Sequence, residues 1–231
     1  MLIYRNDFDN EDKISEIYNE HKVTINFEDY ENIIPMKKCV CKLAIIDNIL
    51  TSYATGFFCY IPSKERRVLI TNSYAINEDF LNKNKELIIY IMDKEEEIEK
   101  IINLKSQRVK YINEDLKVAV IEIIDEDLIF NFIEVDEKIL KNNKFLNEQV
   151  YNLQFPKGFH LKIYFGNIIK SISDKNLFIQ DAGRIFGSTG SPIILTKENK
   201  IIGIHKGACK GSILNEQKNK NLGFYMNYLI A

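Results

Sequence analysis

The feature that most constrains this fold is a succession of short apolar runs, each ended by a charged or Pro/Gly turn. Residues 40–46, 54–61, 68–71, 87–92, 98–104 and 118–123 all have this character. Such runs read as β-strands, and a set of them with tight turns suits one Greek-key barrel. A second series follows at 150–155, 159–168 and 177–181, continuing through Ile193, Ile201 and Phe224. Between the two, residues 125–147 are charged and asparagine-rich and read as a connection. The expected class is therefore all-β, with two barrels. Residues 1–35 stand apart: Ile14, Ile17, Tyr18 and His21 fall at helical spacing, which predicts a short amphipathic helix, and Pro35 marks the entry to the barrels. The implied division is an N-terminal extension at 1–35, a first barrel at 36–125, a connection at 126–147 and a second barrel at 148–231.

A chain of 231 residues can bury a substantial core. Its 31 basic and 33 acidic residues nearly cancel, so neither a nucleic-acid nor an anionic-membrane partner is expected. The charged run from Lys94 to Lys100 reads as a solvated hairpin, with an acidic docking site as its functional alternative. The start, Met1 to Asp7, lacks a basic, continuously apolar leader, and no run reaches membrane-span length; a cytoplasmic setting is expected. Cys39, Cys41, Cys59 and Cys209 fit reduced thiols there. Cys39 and Cys41 should share one strand face, which makes a zinc half-site conceivable. No Cys/His pair completes it, so buried thiols are expected, with no metal and no cofactor.

The chemistry concentrates in Gly187-Ser188-Thr189-Gly190-Ser191-Pro192. By itself this is a Gly/Ser turn between strands. It also has the form of a nucleophile loop: Gly187 permits φ > 0, so that its N–H and that of Thr189 can converge on an oxyanion. Further segments agree with the second reading. Thr55-Gly56-Phe57-Phe58-Cys59-Tyr60-Ile61 and Val68-Leu69-Ile70-Thr71-Asn72-Ser73-Tyr74-Ala75-Ile76 form a predicted hairpin. Lys117-Val118-Ala119-Val120-Ile121-Glu122-Ile123 follows, and Ile201-Ile202-Gly203-Ile204-His205-Lys206-Gly207 comes after the loop. In this order the segments resemble the trypsin/chymotrypsin-like serine peptidases over about residues 36 to 228. The resemblance implies a trypsin-like double barrel of two six-stranded Greek-key units and a cleft between them.

Residue by residue, the resemblance places Tyr74 where the family has its general-base histidine, Lys117 where it has the orienting aspartate, and Thr189 where it has the nucleophilic serine. Gly187, Ser188 and Thr189 would form the oxyanion hole, and Arg184, Ile185, Phe186 and His205 the specificity pocket. A base useful at neutral pH must titrate near there; a phenol, near 10, does not. A lysine in the aspartate's place brings the wrong sign of charge. Among possible rescuers, His21 lies in the extension, His160 reads as the start of a strand, and His205 belongs to the pocket wall. Lys117 would serve as base only if burial lowered its pKa by several units. Asp115, two residues earlier, should share its strand face but lies one pleat repeat away. Arg184 either plugs the pocket, favours an acidic side chain, or is a surface arginine.

The resulting expectation is a catalytically inactive peptidase homologue that binds a peptide or protein in its inter-barrel cleft. Two other readings stay open: an active endopeptidase with a threonine nucleophile and an atypical base, and an assembly module whose cleft is vestigial.

Overall fold

The computed structural model describes residues 31–47, 50–94, 96–135, 145–172, 176–182, 188–208 and 220–226. The expected helix around Ile14–His21 and the fourth thiol, Cys209, lie outside these residues.

The chain enters through a short 3-10 helix, Ile34–Cys39, with Pro35 in its first turn. The first lobe then forms β1 (Val40–Asp47), β2 (Leu50–Ile61), β3 (Arg66–Asn72), α1 (Glu78–Lys83), β4 (Glu86–Asp93), β5 (Glu96–Asn103), β6 (Lys110–Asn113), β7 (Val118–Glu122) and β8 (Ile133–Glu134). Its strands run β5-β4-β1-β2-β3-β7-β6, and β8 pairs parallel with β2. The predicted runs of this half all fall in strands, and the Lys94–Lys100 run lies at the turn and in the second strand of the β4–β5 hairpin. Three elements were not anticipated. β6 and β8 are too short and too polar to stand out, and α1 is a single turn and a half, held by Asn77, whose side chain accepts from the Phe80 N–H at 2.8 Å. No ladder joins β5 to β6 among the described residues, so the first sheet curls without closing.

The second lobe comprises β9 (Gln149–Gln154), β10 (Lys162–Ile172), β11 (Leu177–Gln180), β12 (Pro192–Leu195), β13 (Lys200–Ala208) and β14 (Asn221–Tyr225). These six close into a barrel in the order β10-β11-β14-β13-β12-β9. His160 precedes β10 in an exposed bend rather than starting the strand.

Several strands are apolar throughout because both of their faces are covered. In β2, Phe58 enters the interior of the first lobe, whereas its neighbours Phe57 and Cys59 join a core shared by the two lobes. β3 divides likewise, Leu69 turning inward and Val68 and Ile70 outward. Across the junction, Tyr151 and Leu153 of β9 meet them, while Val150 points into the second barrel. Period-two side-chain alternation thus sorts adjacent residues into separate cores. Two thiols expected to share a strand face are separated because one of them is not in a strand. Cys39, still in the 3-10 helix, packs between the lobes, and Cys41 packs inside the first lobe, so they cannot form a metal half-site. Burial pushes the Cys39 thiol up to about 12 and raises those of Cys41 and Cys59 as well. No group of three or more potential metal ligands occurs among the described residues.

Candidate active-site crevice

The site is built at the lobe junction by two turns and one strand. β3 ends at Asn72, and the chain then turns sharply. The Asn72 side-chain oxygen accepts from Ala75 N–H at 2.9 Å while its Nδ2 donates to Thr189 O at 2.8 Å. One buried amide thereby fixes the position of Tyr74 and ties it to a loop 117 residues away. A second tie lies beneath. Thr55, wholly buried, accepts at its carbonyl from Thr71 Oγ1 at 2.8 Å, and its own Oγ1 accepts from Phe155 N–H at 3.0 Å.

The Thr189 loop is held equally closely. Gly190 donates its N–H to His205 O at 2.9 Å, and His205 returns an N–H to Ser191 O at 2.9 Å. Gly190 has φ +92°, and a Cβ there would stand 2.5 Å from Thr55 O and 2.7 Å from Thr71 Oγ1. Only glycine suits that position. Ser188 is buried, and no hydrogen bond among the described residues engages the Thr189 N–H. Gly187, the other expected oxyanion donor, and the pocket residues Arg184, Ile185 and Phe186 lie outside the described residues.

Tyr74 and Lys117 meet at the mouth of a small crevice. Lys117 Nζ lies 5.4 Å from the centre of the Tyr74 ring, a cation–π contact, and the ring itself is 58 % exposed. Lys117 is not on a strand. It closes the β6–β7 turn in the left-handed region, φ +60°, with its carbonyl accepting from Ser73 N–H at 3.1 Å. The expected shared strand face with Asp115 therefore does not exist, because both residues belong to this turn. The carboxylate that does reach the corner is Glu114, which sequence reasoning missed. Its Oε2 accepts from Ser73 Oγ at 3.0 Å and pairs with Lys117 Nζ at 3.1 Å. The Lys117 and Ser73 hydrogen bonds hold the Glu114 carboxyl below its ordinary range.

Behind this corner the crevice is lined by Lys206 and His205 of β13, with Ile204 and Phe224 as its apolar floor. His205 is 3 % exposed, its Nδ1 has no hydrogen-bond partner, and burial pulls the imidazole down to about 4, so it is neutral at physiological pH. Lys206 is half-buried and held below the ordinary lysine range, first by desolvation and then by the charge of Lys117. Among the described residues no hydrogen bond joins a histidine to the Thr189 hydroxyl. Four expected site residues, Tyr74, Lys117, Thr189 and His205, are thus gathered at one junction. Lys206 was legible only as part of a β-strand, and its approach to Lys117 follows from the packing of β13 on the first lobe.

No protein-family model matches the sequence, and none of the curated proteins does. Solved structures match in fold. The serine endoprotease from Yersinia pestis superposes with a TM-score of 0.65 at 12 % identity over 89 % of this chain, which spans 65 % of that one. Deg5 gives 0.62 at 14 % identity, covering 89 % of this chain and 93 % of its own. The Rv3671c protease of M. tuberculosis, in its inactive form, gives 0.59 at 15 % identity, covering 86 % and 88 %. The fold is therefore that of the trypsin-like serine proteases, with a closed barrel and a second curled sheet.

Proposed function

We propose that this chain is a peptidase homologue without hydrolytic activity, and that it works by holding a peptide or protein segment in the crevice between its lobes. The observation that carries the reading is the Tyr74 ring beneath the Lys117 ammonium, the two residues that the sequence resemblance sets in the positions of a general base and its orienting acid. Among the described residues neither group is hydrogen-bonded to the Thr189 hydroxyl. A lysine becomes a base in dry surroundings without a counter-charge, and Lys117 is 32 % exposed and paired with Glu114. The neutral imidazole of His205 has the right chemistry, but it is buried in the crevice wall and makes no hydrogen bond to the Thr189 hydroxyl among the described residues. The loop is nevertheless held in shape around Gly190, and a groove beside an unengaged Thr189 N–H can bind an extended chain without cleaving it.

The test is turnover of casein and of a fluorogenic peptide library by the purified chain. No cleavage beyond that of Thr189→Ala is expected. Cleavage that Thr189→Ala abolishes would establish an active threonine endopeptidase instead. Binding of the same peptides without turnover, lost in Tyr74→Ala or on blocking the crevice, separates the binding role from that of an assembly module with a vestigial cleft.

A further inference from the structure

The crevice carries an unbalanced charge that suggests what kind of segment it takes. Two ammonium groups face it, Lys117 and Lys206, near enough that the first depresses the ionisation of the second. Glu114 answers Lys117 at 3.1 Å. Nothing answers Lys206: no carboxylate forms an ion pair with it among the described residues, and it is half-buried, where an unpaired cation is costly. Beside it His205 leaves Nδ1 buried and without a partner. The loop behind leaves the Thr189 N–H unengaged. The Lys206 ammonium and the Thr189 N–H are thus donors without an acceptor here, the neutral His205 imidazole brings one donor and one acceptor, and the surplus charge is positive.

Resting on the binding role above, we propose that the crevice selects a carboxylate, and that the segment it holds is an acidic peptide whose carboxylate lies against Lys206. A carboxylate brings two oxygens that only accept, which suits an ammonium and neighbouring N–H groups. A carboxamide of the same shape would turn an NH2 toward the lysine and bring no charge. An aliphatic side chain would leave the ammonium unpaired and drier than before. The exposed Tyr74 ring and the Ile204–Phe224 floor supply apolar surface for the stem of such a side chain. The carboxylate can belong to an Asp or Glu side chain or to a chain terminus, and these are separable by experiment.

The measurement is fluorescence polarisation of the full chain with labelled, N-acetylated pooled hexapeptides. One pool carries Glu at the third position with an amidated end, a second carries Gln there, and a third has no acidic residue but a free C-terminal carboxylate. Either the Glu pool or the free-terminus pool is expected to bind at least about tenfold more tightly than the Gln pool, a difference of about 1.4 kcal/mol. Which of the two does so identifies the source of the carboxylate. Lys206→Met should reduce that preference to less than about twofold, and Lys206→Arg, which retains the charge, should keep it; thermal unfolding reports whether each variant is folded. Equal binding of all three pools overturns the charge selectivity and leaves the binding role standing. Binding of none overturns both. A preference that survives in folded Lys206→Met removes Lys206 as its source.

Discussion

The two lobes treat their buried polar groups in opposite ways. In the first lobe almost every one is answered. Arg108 and Asp127, with side chains 1 % and 3 % exposed, form a bidentate pair at 2.8 and 3.1 Å, and Asp127 also accepts from Ile124 N–H. Thr55, Thr71 and Asn72 each have the bonds described above, and among the described residues of this lobe only Arg108 Nε is left over. In the second lobe the buried side chains of Asn152 and Gln154 have no partner among the described residues on either amide atom, and Gln180 Nε2, Ser191 Oγ, Thr196 Oγ1 and His205 Nδ1 join them. Asn152 and Gln154 lie on the same side of β9 as Val150, and Gln180 on the same side of β11 as Phe178, so they enter the barrel interior. An unsatisfied buried group costs about 1–3 kcal/mol. The first lobe is thus organised for stability, whereas the second retains polar groups that stability alone would remove, one of which, His205, lines the crevice.

That contrast can be broken most severely in the first lobe. Arg108→Met should leave Asp127 buried and unpaired, lowering unfolding free energy by about 3–5 kcal/mol in urea titration. A loss below about 1 kcal/mol would mean that water replaces the guanidinium and that the lobes do not differ in kind.

A somewhat smaller effect is expected from His205. Its imidazole sits at about 4 in the folded chain against 6.5 for an ordinary histidine. Between these values the unfolded state binds more protons, so the contribution to stability is complete above pH 6.5 and is lost as pH falls toward 4. The loss amounts to something on the order of 3 kcal/mol. Parallel pH titrations of stability for the native chain and His205→Leu should diverge over that window, since carboxylates contribute equally to both. Superimposable profiles would show that the imidazole is reached by solvent.

The smallest effect has the opposite sign. Gln154→Met removes two unpartnered amide atoms at nearly constant volume and should raise stability by about 1 kcal/mol, read as an increased urea midpoint at unchanged m-value. The same exchange at a satisfied polar site of the first lobe, Thr55→Val, should be destabilising. If both substitutions act alike, the polar character of the second barrel has no special standing.

Much of this architecture could be read from the chain because strands announce themselves locally. The runs in β2, β3, β4 and β7 are apolar for reasons of burial, and their bounds moved by only a few residues on folding. The glycine singled out in the sequence for positive φ was Gly187, which lies outside the described residues; the need for glycine at Gly190 emerges only when Thr55 and Thr71 close on it. Lys117 was identified as a site position but misplaced onto a strand. A turn residue at φ +60° resembles its strand neighbours in type and differs from them only in backbone conformation. Glu114 escaped notice because a glutamate in a polar turn carries no signal until Ser73 and Lys117 close on it.

The amino-acid order by itself determined that the chain would be built of strands, that the series would break near the middle, and that Thr189 would sit in a Gly/Ser loop leading into a strand. These are matters of neighbouring residues and of side-chain period. Tertiary structure alone decided which groups oppose one another: Asn72 reaching Thr189, Arg108 reaching Asp127, Lys206 brought toward Lys117, and the first sheet left open between β5 and β6. Charge interactions fall off with distance in space and are indifferent to distance along the chain, so the electrostatics of the crevice exist only once two lobes far apart in sequence have been packed together.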